Sequence, residues 1–226
     1  MKIKWYGHSA FLITTARGVR IITDPYQSGA FGGDLSYGKI TDEADIVLSS
    51  HDHDDHNYTK DIRGRFTYIN KAGAYEEKGV KIRAMPTYHD GSKGSQRGKN
   101  LFFVVESDDL TVAHAGDLGH ALDAATVKEI GAVDILLLPV GGFFTIDASE
   151  ATRIVEALKP RVTIPMHFKT EKCAFPITPV EDFTRGKEGV RDPGVTEVEF
   201  SKAGLPDEAQ IVVLAHALEG PGGGGC

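Results

Sequence analysis

Hydrophobic positions along this chain fall mostly into short runs of strand length. Three of them open the sequence, separated by turn-forming residues: "KIKWY", "AFLITT" and "VRIITD". The next, "ADIVLSS", is continuously apolar, as expected of a strand buried on both faces. The later runs are "RFTYIN", "VKIRAM", "NLFFVVES", "LTVAHAGD", "VDILLLPV", "KPRVTIPMH", "VTEVEFS" and "QIVVLAH". This pattern predicts extensive β-sheet.

Helices are predicted in only three places. A short one is expected around "AGAYEEKG", and an amphipathic one from about Leu122 to Ile130. The third begins at Asp147, whose spacing to Glu150 is typical of a capping box, and runs to about Leu158. We therefore predict one α/β domain over residues 1–218, with helices on the outer faces of sheets. The glycine-rich residues 219–226, native or engineered, are predicted to be a flexible tail.

Composition narrows the class of protein. Hydrophobic residues make up 41% and charged residues 25% of the 226 positions, as in ordinary soluble enzymes. No apolar run approaches the roughly 20 residues that span a bilayer, which argues against a membrane partner. Two cysteines give no disulfide framework, so a cytoplasmic location is expected. The net charge of -7 argues against a nucleic-acid partner, and a homo-oligomer is left open.

The segment "SSHDHDDHN", residues 49–57, carries the most specific chemical signal. His51 and His53 alternate across one residue, so at a strand end they point to the same side. Neutral imidazole is a common zinc ligand, and carboxylate oxygen can complete the coordination. Asp55 and His56 supply a second, separable pair of ligands. The alternative is an ordinary solvent-exposed acidic loop whose histidines bind no metal.

Three further candidate ligands each follow a β-rich run. His89 follows "IRAMPTY", Asp117 follows "LTVAHAG" and His167 follows "RVTIPM". Singly, each is more often a capped turn or a satisfied histidine than a metal ligand. Together with the histidine-rich segment, they are the expected remaining parts of a two-metal site.

These motifs occur in the order typical of the metallo-β-lactamase-fold hydrolases, which the chain resembles up to the glycine tail. The resemblance rests on "TDP" with Asp24, "SSHDHDDHN", His89, "HAGD" with Asp117 and "PMH" with His167. "GHSAFLI", "LPVGGFFTID" and "IPMHF" are similar to the compact single-domain branch related to L-ascorbate-6-phosphate lactonase. They indicate the branch and leave the substrate undetermined.

The resemblance implies a four-layer αβ/βα sandwich with two metals at one edge, between the sheets. The implied ligands are His51, His53 and His89 for the first metal, and Asp55, His56 and His167 for the second, with Asp117 bridging. Asp24 is expected to support these ligands without binding a metal. His8 either reaches the site from the first hairpin or is a structural histidine.

The implied cofactors are two divalent metal ions. Zinc is the first expectation, and manganese or iron are alternatives because histidine and carboxylate suit all three. Such a pair activates water, so we expect hydrolysis of an ester, lactone or phosphodiester, with Asp55 orienting the water or taking its proton. The rival functions are a phosphodiesterase or nuclease of the same fold, a di-iron redox protein and a non-catalytic metal-binding scaffold. The intact His53 argues against the redox protein.

A basic cluster brackets His89 in an otherwise acidic chain. Its members are Lys81, Arg83, Lys93, Arg97 and Lys99. A local positive field of this kind is expected to steer a small anion. The prediction is therefore a small anionic substrate whose phosphate or carboxylate pairs with Lys93 or Arg97. The alternative is an exposed loop whose cations only keep it soluble.

For a few other residues, the sequence gives weaker evidence of a role at the metal site. His114 either orients Asp117 or packs in its strand. Gly141 and Gly142 would permit close backbone approach beside the metals, or form a simple strand-to-helix turn. Cys173 is interpreted as structural.

Overall fold

The computed structural model describes residues 1–218, so the predicted tail at 219–226 lies outside the described residues. The strands of the first half are β1 (Lys2–Gly7), β2 (Ala10–Thr14), β3 (Arg20–Thr23), β4 (Ile46–Leu48), β5 (Thr67–Ile69), β6 (Gly73–Glu77) and β7 (Val80–Tyr88). Those that follow are β8 (Lys99–Ser107), β9 (Leu110–His114), β10 (Ile135–Pro139), β11 (Val162–Met166), β12 (Val190–Arg191), β13 (Glu197–Glu199) and β14 (Gln210–Val212). The α-helices are α1 (Ala124–Ile130), α2 (Ala148–Leu158) and α3 (Val180–Thr184).

The strands form two mixed sheets. The six-stranded sheet has the order β13-β1-β2-β3-β4-β5, and the eight-stranded sheet has the order β12-β14-β11-β10-β9-β8-β7-β6. The strands β9, β10, β11 and β14 run parallel, whereas β6 to β9 form an antiparallel meander. The α/β class predicted from the sequence is confirmed.

The main hydrophobic core includes side chains from both sheets. Strand β4 shows how the residues are distributed: Ile46 and Leu48 belong to this core, while Val47 belongs to a second apolar cluster. Successive side chains of a strand point to opposite faces, so β4 is buried on both, as its continuous apolar run predicts. Burying each large apolar side chain stabilises the fold by roughly 1.5–3 kcal/mol.

Helices cover one outer face of the eight-stranded sheet. α1 joins β9 to β10 and α2 joins β10 to β11, and right-handed crossovers between parallel neighbours place both helices on the same face. The predicted capping box of α2 is present: the Asp147 side chain accepts from the Glu150 amide, and Glu150 accepts from the Asp147 amide. α1 begins after Leu122, because the Asp123 carboxylate caps it.

The resemblance implies a layer of helices on the outer face of the six-stranded sheet. The structure covers that face in another way. Residues 1–123 contain no α-helix. Irregular chain supplies the second apolar cluster instead, in which Tyr26, Leu35 and Tyr37 pack with Phe175. Large apolar residues in a loop can therefore bury this sheet as a helix would.

The helix predicted around "AGAYEEKG" is wrong. Its residues form β6, which pairs antiparallel with β7 so that Glu77 lies opposite Val80. The two-residue turn, Lys78–Gly79, has φ values of 51° and 76°. A hairpin turn with both residues at positive φ matches the twist of its strands, and glycine at the second position favours it. This turn signal outweighs the helix propensity of the paired glutamates.

Candidate metal centre

The predicted ligands lie at the carboxyl ends of four strands. β7 and β9 flank β8 antiparallel, and β9, β10 and β11 are parallel, so β7, β9 and β11 all end at one edge. His89 directly follows β7, Asp117 comes shortly after β9, and His167 directly follows β11. The histidine-rich segment follows β4 of the other sheet. The centre is therefore built between the sheets, at one edge.

The structure brings all seven predicted ligands together. Within residues 1–218 their ligand atoms fall into groups whose members lie within 4.8 Å of one another. The groups are His51, His53 and His89; His51, His56 and Asp117; and His8, Asp55, His56 and His167. His8 is thus part of the cluster, in addition to the seven.

The Asp117 carboxylate occupies the middle of the cluster. Its Oδ2 atom lies 3.2 Å from Nε2 of His56, 3.2 Å from Nε2 of His89 and 3.3 Å from Nε2 of His167. Burial raises the pKa of Asp117, but the imidazoles of His167 and His56 outweigh it and hold the pKa well below its usual range. An ionised carboxylate between histidines of both predicted sets matches a bridging position.

The unpaired atoms of the centre fit a bound cation. Among the described residues, Nε2 of His51, Nε2 of His56 and Oδ1 of Asp117 are buried without a hydrogen-bond partner. Buried polar atoms are normally paired, so lone pairs gathered in one place indicate a missing electron-pair acceptor. The donor set of imidazole nitrogen and carboxylate oxygen is the one that zinc, manganese and iron accept.

Asp24 fixes the orientation of two histidines. Its buried carboxylate accepts from the Ser50 amide at 2.7 Å, from the Ser50 hydroxyl at 2.7 Å and from Nδ1 of His56 at 3.0 Å. The Ser50 hydroxyl also lies 2.9 Å from Nδ1 of His51. Since the hydroxyl donates to Asp24, it accepts from His51. Both imidazoles therefore carry their proton on Nδ1 and leave Nε2 free for a metal.

Electrostatics distinguishes His51 from His56. Burial lowers the pKa of His51 to about 3, with a further contribution from nearby His56. Burial also lowers the pKa of His56, but the carboxylates of Asp117 and Asp55 outweigh it and raise that pKa well above its ordinary value. A field that favours a positive charge at His56 also favours a metal ion beside it.

His8 contacts the site directly. It is buried, its Nε2 lies 3.1 Å from Oδ2 of Asp55, and its ring centroid lies 4.1 Å from that of His167. Its backbone carbonyl accepts from the His167 amide at 3.1 Å. Burial lowers the pKa of His8 to about 4, with a further contribution from His167. Of the two interpretations of His8, the structure favours the one that reaches the site.

The remaining histidine and aspartates of the histidine-rich segment are exposed to solvent and line a cavity beside the centre. The His53 side chain is exposed at the rim, and Asp52 and Asp54 are exposed as well. Asp52 accepts a hydrogen bond from the Asn57 side chain. Asp52 and Asp54 are therefore solvated.

Two glycines allow the backbone to approach the ligand residues. A Cβ atom at Gly141 would lie 2.3 Å from the carbonyl oxygen of His167, and one at Gly119 would lie 2.3 Å from that of His89. Neither position has room for a side chain. The close approach predicted at Gly141 is present, whereas Gly119 carried no sequence signal beyond being glycine.

His114 acts on the turn before Asp117. Its Nδ1 accepts from the Gly116 amide at 3.1 Å, so its Nε2 donates to the Ser9 carbonyl at 2.9 Å. The Asp117 amide is held by Oδ1 of Asn100 at 2.9 Å. His114 therefore joins the strand end to the first hairpin, and Asn100, which the sequence did not single out, positions Asp117.

The centre opens into a cavity of about 620 Å³. Its lining residues are Phe31, Asp52, His53, Asp54, Asp55, His89, Gln96, Arg97, Asp117, Phe144, His167 and Phe175. Arg97 lies on this wall, with its guanidinium 5.7 Å from the ring centroid of Phe144. Phe31, Gln96 and Phe175 were not identified from the sequence, because only the fold brings them to the ligands.

The other predicted cations do not line this cavity. Lys93 is exposed and is not among the residues that line the cavity. Arg83 donates to the carbonyl oxygens of Glu129 and Ile130 at the end of α1. Lys99 lines a neighbouring cavity together with Arg97. That neighbouring cavity is also lined by His51 and His53. Of the basic cluster, Arg97 is the member that lines the cavity into which the centre opens.

The loop that carries Arg97 is organised by Asp90. The Asp90 carboxylate accepts from four backbone amides, those of Ser92, Gly94, Gln96 and Arg97, at 2.7–3.0 Å. Burial raises the pKa of Asp90, but these amides outweigh it and lower the pKa to about 2. The loop after His89 thus has a defined internal structure.

Comparison with known proteins agrees with this geometry. The model of the Beta-lactamase superfamily domain matches residues 2–167. A UPF0173 metal-dependent hydrolase from Thermococcus onnurineus is 33% identical over 195 residues, covering 75% of this chain and 85% of the relative. Another, from Pyrobaculum calidifontis, is 30% identical over 229 residues, covering 86% of this chain and 98% of the relative.

The chain belongs to the β-lactamase superfamily. Within it, the chain belongs to the UPF0173 metal-dependent hydrolases. A solved structure from Thermotoga maritima, assigned as a Zn-dependent hydrolase of the metallo-β-lactamase superfamily, is 37% identical with a TM-score of 0.78. It covers 94% of this chain, and this chain covers 97% of it. The predicted family is confirmed, and the chain is a metal-dependent hydrolase.

The relation to L-ascorbate-6-phosphate lactonase stays a prediction, as does the cytoplasmic location. Within residues 1–218, no helix has the length and apolar character needed to cross a membrane.

Cys173 is buried. Burial raises the pKa of its thiol, which agrees with the structural role expected from the sequence.

Proposed function

We propose that the chain is a binuclear metal-dependent hydrolase that cleaves an ester, lactone or phosphodiester bond in a small anionic metabolite. The observation that carries this proposal is the convergence of seven histidine and aspartate side chains, some with buried unpaired atoms, beside one cavity. Five of the seven line that cavity: His53, Asp55, His89, Asp117 and His167. One metal would be held by His51, His53 and His89 and the other by Asp55, His56 and His167, with Asp117 between them.

Bound there, two cations would supply a water of lowered pKa and Lewis-acid activation of a carbonyl or phosphoryl group. Zinc is the first metal to test, since the Thermotoga maritima relative is assigned as Zn-dependent. Manganese and iron suit the same ligands.

The residues of the chain then have distinct roles. Asp24 holds His56 through Nδ1 and acts on His51 through Ser50, which keeps both imidazoles in the tautomer that binds a metal. Asp55 orients the attacking water and accepts its proton at a carboxylate oxygen. His8, hydrogen-bonded to Oδ2 of Asp55, keeps that carboxylate in position.

Arg97 would bind the anionic group of the substrate. It lies on the cavity wall, and no ion pair occupies it among the described residues. A guanidinium can make two parallel hydrogen bonds to a carboxylate or phosphate, so it fixes orientation as well as charge. We propose that the binding partner is this small anionic substrate and not a membrane or a nucleic acid.

Turnover by zinc-loaded and manganese-loaded protein would test the proposal. The panel should contain phosphodiesters and phosphomonoesters, which are anionic, together with lactones, carboxylic esters and β-lactams, each with and without an added anionic group. We expect turnover of one ester-type class that chelation abolishes and metal restores. Equal rates for the loaded and chelated protein on every class would contradict the proposal.

A further inference from the structure

Three phenylalanines from distant segments form one wall of the cavity, here called the aromatic wall. Phe175 lies at its centre, with its ring centroid 5.3 Å from that of Phe31 and 5.6 Å from that of Phe144. The interplanar angles, 74° and 72°, are those of edge-to-face contacts. Phe175 also lies 5.8 Å from the ring of His8, which joins the aromatic wall to the Asp55 side of the metal centre.

Phe31 has features that packing of the core does not explain. Its side chain is 50% exposed. Its backbone has a φ of 55°, a strained region that bulky residues rarely occupy. An exposed ring in a strained conformation gains little from burial, yet it lines the same cavity as Asp55, Asp117 and His167. Burial of this ring against a ligand would contribute to the free energy of binding.

The aromatic wall adjoins the cation proposed to bind an anion. The Arg97 guanidinium lies 5.7 Å from the ring centroid of Phe144, within the range of a cation–π contact. An apolar surface and a positive charge therefore lie side by side next to the metal centre. A ligand that satisfies both carries an apolar group and an anionic group within one small molecule.

We propose that the aromatic wall binds an apolar, planar part of the substrate while Arg97 binds its carboxylate or phosphate. The substrate class is then an anionic ester, lactone or phosphodiester with an aromatic or similarly flat apolar group. This inference rests on the proposed function, because it takes the cavity as the substrate site.

Equilibrium binding to the metal-loaded protein would test the inference without turnover. The probes are 3-phenylpropionate, which has a ring and a charge, propionate, which has only the charge, and 3-phenylpropanamide, which has only the ring. Titration calorimetry or ligand-observed NMR gives each Kd. We expect 3-phenylpropionate to bind about tenfold or more tightly than propionate, on the scale of burying one ring.

The informative variant is Phe31→Ala, because Phe31 is half-exposed and its removal opens no buried space. It should weaken 3-phenylpropionate and 3-phenylpropanamide about fivefold or more and leave propionate unchanged. Phe31→Leu should keep part of the affinity. The matched control is Tyr68→Ala: Tyr68 is an aromatic residue on β5 that is 40% exposed, and it is not among the residues that line the cavity. This control should bind all three probes as the unaltered protein does.

Two results would overturn the inference: equal affinities of the unaltered protein for 3-phenylpropionate and propionate, or an unchanged affinity of Phe31→Ala for 3-phenylpropionate. Failure of the proposed function would look different. In that case no ester-type class is hydrolysed, whatever the probes bind. If only the inference fails, metal-dependent hydrolysis is observed without a preference for aromatic substrates.

Discussion

The Nε2 atom of His8 lies 3.1 Å from the Oδ2 atom of Asp55, although 47 positions separate the two residues in the chain. The first hairpin, between β1 and β2, carries His8 to the carboxyl end of β4. A buried imidazole that contacts a metal-binding carboxylate fixes that carboxylate in place. His8 is therefore a positioning residue in the proposed reaction.

Replacing His8 by alanine should lower kcat about 10- to 100-fold, the range typical when a partner of a metal ligand is lost. Metal content should stay at two ions per chain. Elemental analysis of the purified variant, together with its kinetics, distinguishes a positioning role for His8 from a role as a metal ligand. Loss of one metal ion would show that His8 is itself a ligand.

Asp24 supports the centre from a fully buried position. Asp24→Asn keeps the size of the side chain but removes the charge and disturbs three hydrogen bonds. Breaking a buried, paired network of this kind should cost about 3 kcal/mol in the free energy of unfolding and weaken metal binding. Denaturant unfolding and a metal titration would measure the two effects. Stability and metal affinity equal to those of the unaltered protein would rule out this role.

Asp55 and Asp52 provide a comparison within one segment. Asp55→Ala should lower kcat at least ~10²-fold, because it removes a ligand and the proton acceptor together. Asp52→Ala should keep activity within a few-fold. Although Asp52 lines the cavity, its carboxylate is exposed, pairs with Asn57 and belongs to none of the groups of candidate metal ligands. Steady-state kinetics of both variants on one substrate would decide. Comparable losses at the two positions would mean that the ligands are assigned wrongly.

The sequence gives Arg97 and Lys93 the same predicted role in binding an anion. We expect substitutions at the two positions to have different effects on KM. Arg97→Ala should raise KM for an anionic substrate about tenfold and leave a neutral ester of similar size nearly unaffected. Lys93→Ala should change neither, because Lys93 is exposed and does not line the cavity. Metal content should be unchanged in both variants. An equal rise in KM for charged and neutral substrates would show that Arg97 does not recognise charge.

The positions of the ligand residues could be predicted because strand ends are visible in a sequence. A continuous apolar run predicts β4, so the residues just after it lie at a sheet edge. The same holds for His89, Asp117 and His167. Each position depends only on local periodicity, together with the rule that parallel strands end at one edge.

Features that depend on contacts between distant segments could not be predicted. Phe31 and Phe175 carry no local pattern that would place them beside a metal centre. The contact between His8 and Asp55 depends on the pairing of the whole hairpin. The local sequence of β6 predicts a helix, but its pairing with β7 outweighs that local propensity.

The number of metal ions per chain is the measurement that tests the central claim most directly. Protein saturated with zinc or manganese, freed of loose metal and quantified by elemental analysis, should contain two ions per chain. Chelation should remove both and lower Tm, because ions that bind only the folded state stabilise it. A content of one ion or fewer per chain in the saturated protein would contradict the binuclear centre.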